Sequence, residues 1–81
     1  MTTAMTVWTA TKGTRHARCE LRYIAHQLCW ACRVFEDDAC VADERFVSRE
    51  HAHTYACDAI PQWRRAGWMI VLLITDGGDG D

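Results

Sequence analysis

Seven consecutive apolar residues, Trp68-Met69-Ile70-Val71-Leu72-Leu73-Ile74, limit what this 81-residue chain can fold into more than any other segment. The run is far short of the about 20 residues that a membrane-spanning helix needs, and the sequence reading therefore excludes a membrane span. As a strand it turns Met69, Val71 and Leu73 to one side and Ile70, Leu72 and Ile74 to the other. Both sides then need cover. A domain of this length buries only about 60–65% of its unfolded surface, so its core is thin. Two arrangements satisfy the run. Either it is central in a sheet that curls until Trp8 and Trp30 cover its second face, or a second subunit covers it and the protein is a homodimer.

The residues before this run read as four strands. Thr6 to Thr11 alternates and is rich in threonine and tryptophan. Lys12-Gly13-Thr14 supplies a turn. Ala17, Cys19, Leu21 and Tyr23 then alternate with Arg18, Glu20 and Arg22, the period-two pattern of a half-buried strand. Ile24 to Gln27 breaks the alternation and is expected to be a connection. Leu28, Trp30, Cys32 and Val34 mark one face of a third strand. Glu36-Asp37-Asp38 is read as a hairpin turn, with Cys40 to Val47 returning as the fourth.

A helix follows. Ser48 is expected as its N-cap, with Glu50 in the first turn and Val47 and Ala52 at hydrophobic-staple spacing. Ala52, Tyr55, Ala56, Ala59, Ile60 and Trp63 form one apolar stripe at helical spacing. Pro61 predicts a kink or a restarted turn. Gly67 suits the left-handed position after the last turn, with Trp68 folding back toward Trp63. The expected fold is α+β: an antiparallel sheet of about five strands, in the chain order β-β-β-β-α-β, with one Pro-kinked helix on one face. Residues 1–75 make one domain, and residues 76–81, Asp-Gly-Gly-Asp-Gly-Asp, are expected to be a disordered acidic tail.

Eight arginines and one lysine face eleven acids, for a formal net charge of −2. Without the three aspartates of the tail, nine bases face eight acids, so the body is nearly neutral. Bulk attraction to nucleic acid is not expected of it. Met1 to Trp8 lacks the basic start and long apolar core of a signal peptide. Five cysteines, an odd number without secretory context, point to reduced thiols and a cytoplasmic protein.

Candidate chemistry is sparse. Cys29-Trp30-Ala31-Cys32 has redox spacing, but it lies in a strand pattern, where residues three apart face opposite sides, and no helix follows to lower a thiol pKa. His26, Cys29, Cys32 and Cys40 would offer zinc one imidazole and three thiolates if the chain coiled locally. His53 and Cys57 share a helix face at i, i+4. No nucleophile is tied to a base and an orienting group, so no enzyme, catalytic residue, metal or cofactor is expected. Arg15, Arg18, Arg22 and Arg33 would be the nucleic-acid contacts if the sheet's polar face reads nucleic acid, with Trp8 and Trp30 as stacking rings.

From Trp30 to Ala52, Trp-Ala-Cys-Arg-Val-Phe-Glu-Asp-Asp followed by Arg-Phe-Val-Ser-Arg-Glu-His-Ala is similar to the sheet-plus-helix units of phage integrase arm-binding domains, without their basic sheet. In size and layout the whole chain resembles the small stand-alone proteins of phages and mobile elements, anti-CRISPR inhibitors in particular. That resemblance implies a non-enzymatic protein that binds a larger protein or protein–RNA complex and blocks it sterically. The candidate surface for that role is Glu36, Asp37 and Asp38 with Asp43 and Glu44, which would meet a basic groove.

Overall fold

Four strands run as an antiparallel meander in a computed structural model that describes residues 4–73. They are β1 (Ala4–Lys12), β2 (Arg15–Ile24), β3 (Cys29–Glu36) and β4 (Ala39–Phe46), with a short 3-10 turn, Ala25–Gln27, between β2 and β3. The chain then forms helices α1 (Arg49–Asp58) and α2 (Ile60–Arg65) and ends in β5 (Met69–Leu72). The sheet order is β4-β3-β2-β1-β5, so the helical segment carries the chain from one edge of the sheet to the other. This is the expected α+β architecture. The tail 76–81, with Ile74 and Thr75, lies outside the described residues.

Two tight turns set the register. Gly13, the first of two central residues between β1 and β2, has φ +64°, a conformation that suits glycine and matches the twist of a hairpin. The β3–β4 turn contains no glycine, yet Asp37 and Asp38 both take positive φ, 52° and 70°. Aspartate tolerates this region better than most residues, and here each carboxylate is held from outside the turn. Asp37 accepts from the His16 backbone N–H at 3.0 Å, and its own N–H donates to the His16 carbonyl at 2.8 Å. Asp38 meets the Arg18 guanidinium at 3.2 Å.

One face of the sheet makes the core. Ala17, Cys19 and Leu21 of β2, Cys32 and Val34 of β3, and Trp8 and Ala10 of β1 pack under the helices with Ala52, Ala56 and Ile60. Val7 and Trp8 are neighbours and both fully buried, which strict alternation forbids. A bulge between Thr6 and Trp8 resolves this by placing an extra residue on β1.

The helical segment follows its local code closely. The Ser48 side chain accepts from the His51 N–H at 3.1 Å, the expected cap. Pro61 opens α2 after a break at Ala59, the expected restarted turn. At the other end, Trp68 N–H donates to the Trp63 carbonyl and Gly67 N–H to that of Arg64, with Gly67 at φ +100°. This is a Schellman stop, and the Trp63 and Trp68 rings close it edge-on at 5.0 Å. The staple does not form: Val47 is 87% exposed, while Ala52 is buried against the sheet. Tyr55 is also more exposed than the stripe implies and lies beside the Phe46 ring.

Leu28 and β5 depart further from expectation. Leu28 does not belong to the β3 face; it closes the 3-10 turn at φ 52° and is 73% exposed. β5 is an edge strand, not a central one, and pairs only with β1 among the described residues. Ile70 packs against the core, whereas Met69 (73%), Val71 (56%), Leu72 and Leu73 are exposed. Trp8 and Trp30 do not cover the second face, because Trp8 pairs with Cys19 and Trp30 with Tyr23 on the helix side.

Candidate functional site

Two surfaces carry the residues that the sequence singles out. The first is the side of the sheet away from the helices. Residues directly opposite one another in neighbouring strands share a face, so the register assigns Thr9, Arg18 and Phe35 to one row across this side. Thr6, Glu20, Arg33 and Asp43 make the next row, and Ala4, Arg22, Ala31 and Arg45 the one after. Arg18, Arg22 and Arg33 therefore do share a surface, joined by Arg45, which sequence reasoning missed. Arg15 does not belong with them. It sits on the helix side, where its guanidinium lies 5.7 Å from the Trp68 ring centre and pairs with Glu36. The stacking rings are displaced too: Trp8 is fully buried under α1, and Phe35 is the aromatic residue on the arginine side, with Arg18 4.4 Å over its ring.

The arginines of this face differ in how far they are committed. Arg18 pairs with Glu20 at 2.8 Å and with Asp38 at 3.2 Å, and those two acids hold its pKa above the ordinary value. Arg33 and Arg45 share Asp43. Arg33 Nε lies 3.4 Å from Asp43 Oδ2 but is buried without a hydrogen bond, because distance alone does not align the pair. Arg22 forms no ion pair among the described residues.

The second surface is the acidic turn, and the fold divides it. Glu36 is bound to Arg15, Asp37 to Arg15 and the His16 backbone, and Asp38 to Arg18. The His16 N–H, and after it Arg15, hold the Asp37 carboxyl below the usual carboxylate range. Asp43 lies on the open face, but Glu44, opposite Cys32, lies on the helix side. The five acids thus do not form one patch, and Glu44 alone of them has no ion pair among the described residues.

The cysteines separate as strand geometry dictates. Cys29 faces the open side and Cys32 is buried on the helix side, while Cys40 is exposed near the start of β4. His26, Cys29, Cys32 and Cys40 do not converge, and no group of three or more metal-ligating side chains is assembled among the described residues. Cys32 instead meets Cys19, Sγ to Sγ 3.6 Å, a contact invisible in sequence spacing because the two sit on different strands. The Cys32 sulfur, and after it burial, push the Cys19 thiol up, while the same contact with Cys19 draws the Cys32 thiol down. Cys57 and His53 are within 3.9 Å on α1, the expected i, i+4 contact.

No helix of the described residues is long and apolar enough to cross a membrane. Compared with protein-family models, with curated proteins and with solved structures, the chain matches none of them.

Proposed function

We propose that this chain is a non-enzymatic interaction protein that binds a larger protein or protein–RNA complex and blocks it sterically, in the manner of the phage and mobile-element inhibitors it resembles. By that resemblance, a CRISPR effector component is the kind of target it implies, met in the cytoplasm. One observation carries the reading: β5 is an edge with no strand beyond it among the described residues, and its Met69, Val71 and Leu72, with Leu73 just after it, are exposed. Four large apolar side chains on a sheet edge invite strand addition by another chain. Leaving each in water forfeits about 1.5–3 kcal/mol relative to full burial. Glu36, Asp37, Asp38, Asp43 and Glu44 serve this role less well, since arginines of the same chain neutralise four of them.

The same edge suits a second copy of the chain, and the resting form proposed is a homodimer that pairs β5 with β5 until a target displaces it. Light scattering at micromolar concentration tests the dimer. Val71→Lys, which puts charge on the edge without touching the core, is expected to give a monomer and to abolish inhibition. A wild-type monomer that stays soluble without a partner, and whose target binding survives Val71→Lys, refutes the edge as the docking element.

A second reading, a small nucleic-acid-binding module, is favoured by one observation: Arg18, Arg22, Arg33 and Arg45 share an uncovered face. Binding that weakens steeply with salt in a gel-shift series would support it over the first.

A further inference from the structure

Around Ala31 the open face changes character. Arg22 of β2 and Arg45 of β4 stand directly opposite Ala31 on its two sides, and Arg33 follows two residues along β3 on the same face. Ala31 is fully buried although no helix covers this side, so neighbouring side chains such as the arginine stems roof it. A cleft of about 460 Å³ opens here, lined by Arg22, Arg33, Arg45, His26 and Gln27, with no acidic residue in its wall among the described residues.

Charge in the cleft is unbalanced. Arg33 and Arg45 share the single carboxylate of Asp43, Glu20 is engaged by Arg18, and Arg22 has no acid within ion-pair distance among the described residues. Three guanidiniums against one carboxylate leave two positive charges. Guanidiniums only donate hydrogen bonds, so what matches them is acceptor oxygens. The missing component is a compact anion with two charges and several acceptor oxygens. A monocarboxylate supplies half that charge, whereas a phosphate monoester carries about −1.5 to −2 and three acceptor oxygens at neutral pH. The cleft is also of the size that holds small organic ligands, larger than phosphate alone fills. A long polyanion fits less well, since the next arginine along the face, Arg18, is already neutralised by Glu20 and Asp38.

We infer that this cleft binds a phosphate monoester of nucleotide size, gripped by Arg22, Arg33 and Arg45. The phosphate comes from a free nucleotide or from the 5′ end of a nucleic-acid strand, which share this chemistry. The site lies on the open face and does not depend on β5 as a docking edge.

Titration calorimetry of the full chain at low salt, with AMP and adenosine as probes, tests it. AMP is expected to bind and adenosine not to. Arg22→Ala and Arg45→Ala are each expected to weaken AMP at least about tenfold, the scale of one lost charge-assisted hydrogen bond. Arg64→Ala, on α2, is expected to leave it unchanged. Arg22 is exposed and unpaired, so Arg22→Ala keeps the melting temperature and decides the matter even if Arg45→Ala unfolds. A 5′-phosphorylated trinucleotide binding more tightly than AMP assigns the strand end, and equal or weaker binding assigns the free nucleotide. Equal titration by AMP and adenosine overturns the proposal. So does AMP binding that survives Arg22→Ala, or that falls equally in Arg64→Ala.

Discussion

Replacing Trp8 by phenylalanine tests how the helices are fixed to the sheet. The Trp8 ring is fully buried, and its Nε1–H donates to the Ala56 carbonyl at 2.9 Å. That carbonyl lies in the last turn of α1, just before the break at Ala59. The indole therefore ties the end of α1 to β1 through a buried hydrogen bond. Trp8→Phe removes the donor from a buried carbonyl, at a cost of about 1–3 kcal/mol. The smaller ring leaves a void that adds about 1 kcal/mol. The sum is about 2–4 kcal/mol against a total stability of about 4–12 kcal/mol for a chain of this length. Each kcal/mol shifts the melting point of a small domain by about 4–8 °C, so a fall of about 8–32 °C is expected. Urea unfolding followed by far-ultraviolet circular dichroism measures it without relying on the fluorescence of the altered tryptophan. Trp63→Phe provides the contrast, because Trp63 keeps its edge contacts with Trp8 and Trp68 and loses no comparable hydrogen bond. A Trp8→Phe protein within about 0.5 kcal/mol of wild type, or no less stable than Trp63→Phe, would refute the reasoning.

Ser48→Ala removes the cap on the His51 N–H and is expected to cost about 1 kcal/mol in urea unfolding. Leu28→Asn replaces an exposed leucine held at φ 52° by a residue that tolerates that region, and a gain of about 0.5–1 kcal/mol is expected; an unchanged or lower melting point counts against strain there. Asp37 has a depressed pKa in the fold, so its stabilisation is present above its ordinary value of 3.8 and is lost as pH falls through the folded value. Asp37→Asn is accordingly expected to flatten the acid limb of the melting-temperature profile below about pH 4 while changing little of its shape at neutral pH.

Local codes were readable and tertiary ones were not. The alternation from Ala17 to Tyr23, the Ser48 cap, the Pro61 restart and the Gly67 stop with Trp68 folded onto Trp63 all depend on residues within a few positions of one another. The Asp37–Asp38 turn has no glycine and depends on His16 and Arg18, about twenty residues away, which no local pattern reveals. Arg45 escaped notice because a bulge between Val34 and Phe35 shifts the register of β4, and Asp43-Glu44 beside it reads as a solvated pair. Arg15 was misassigned for a simpler reason. It stands an odd number of residues from Arg18 along β2, and odd spacing in a strand means the opposite face. Composition correctly marked Trp68 to Ile74 as unusual but could not place it, because whether a strand is central or at an edge is decided by the crossover of the chain.

The two edges of this sheet are built differently. β4 carries Asp43, Glu44 and Arg45 in succession, and charge along an edge discourages another strand from pairing with it. β5, Met-Ile-Val-Leu, carries none, although it is the shorter strand and the more exposed in apolar surface. The helical segment reaches β5 through α2, yet leaves Met69 and Val71 uncovered on the far face, where neighbouring Thr11 and Thr9 of β1 offer no apolar roof. A thin core gains nothing from apolar side chains left outside it. On the function proposed above, a strand from another chain would cover them, and the charged β4 edge would confine such a strand to one side of the sheet.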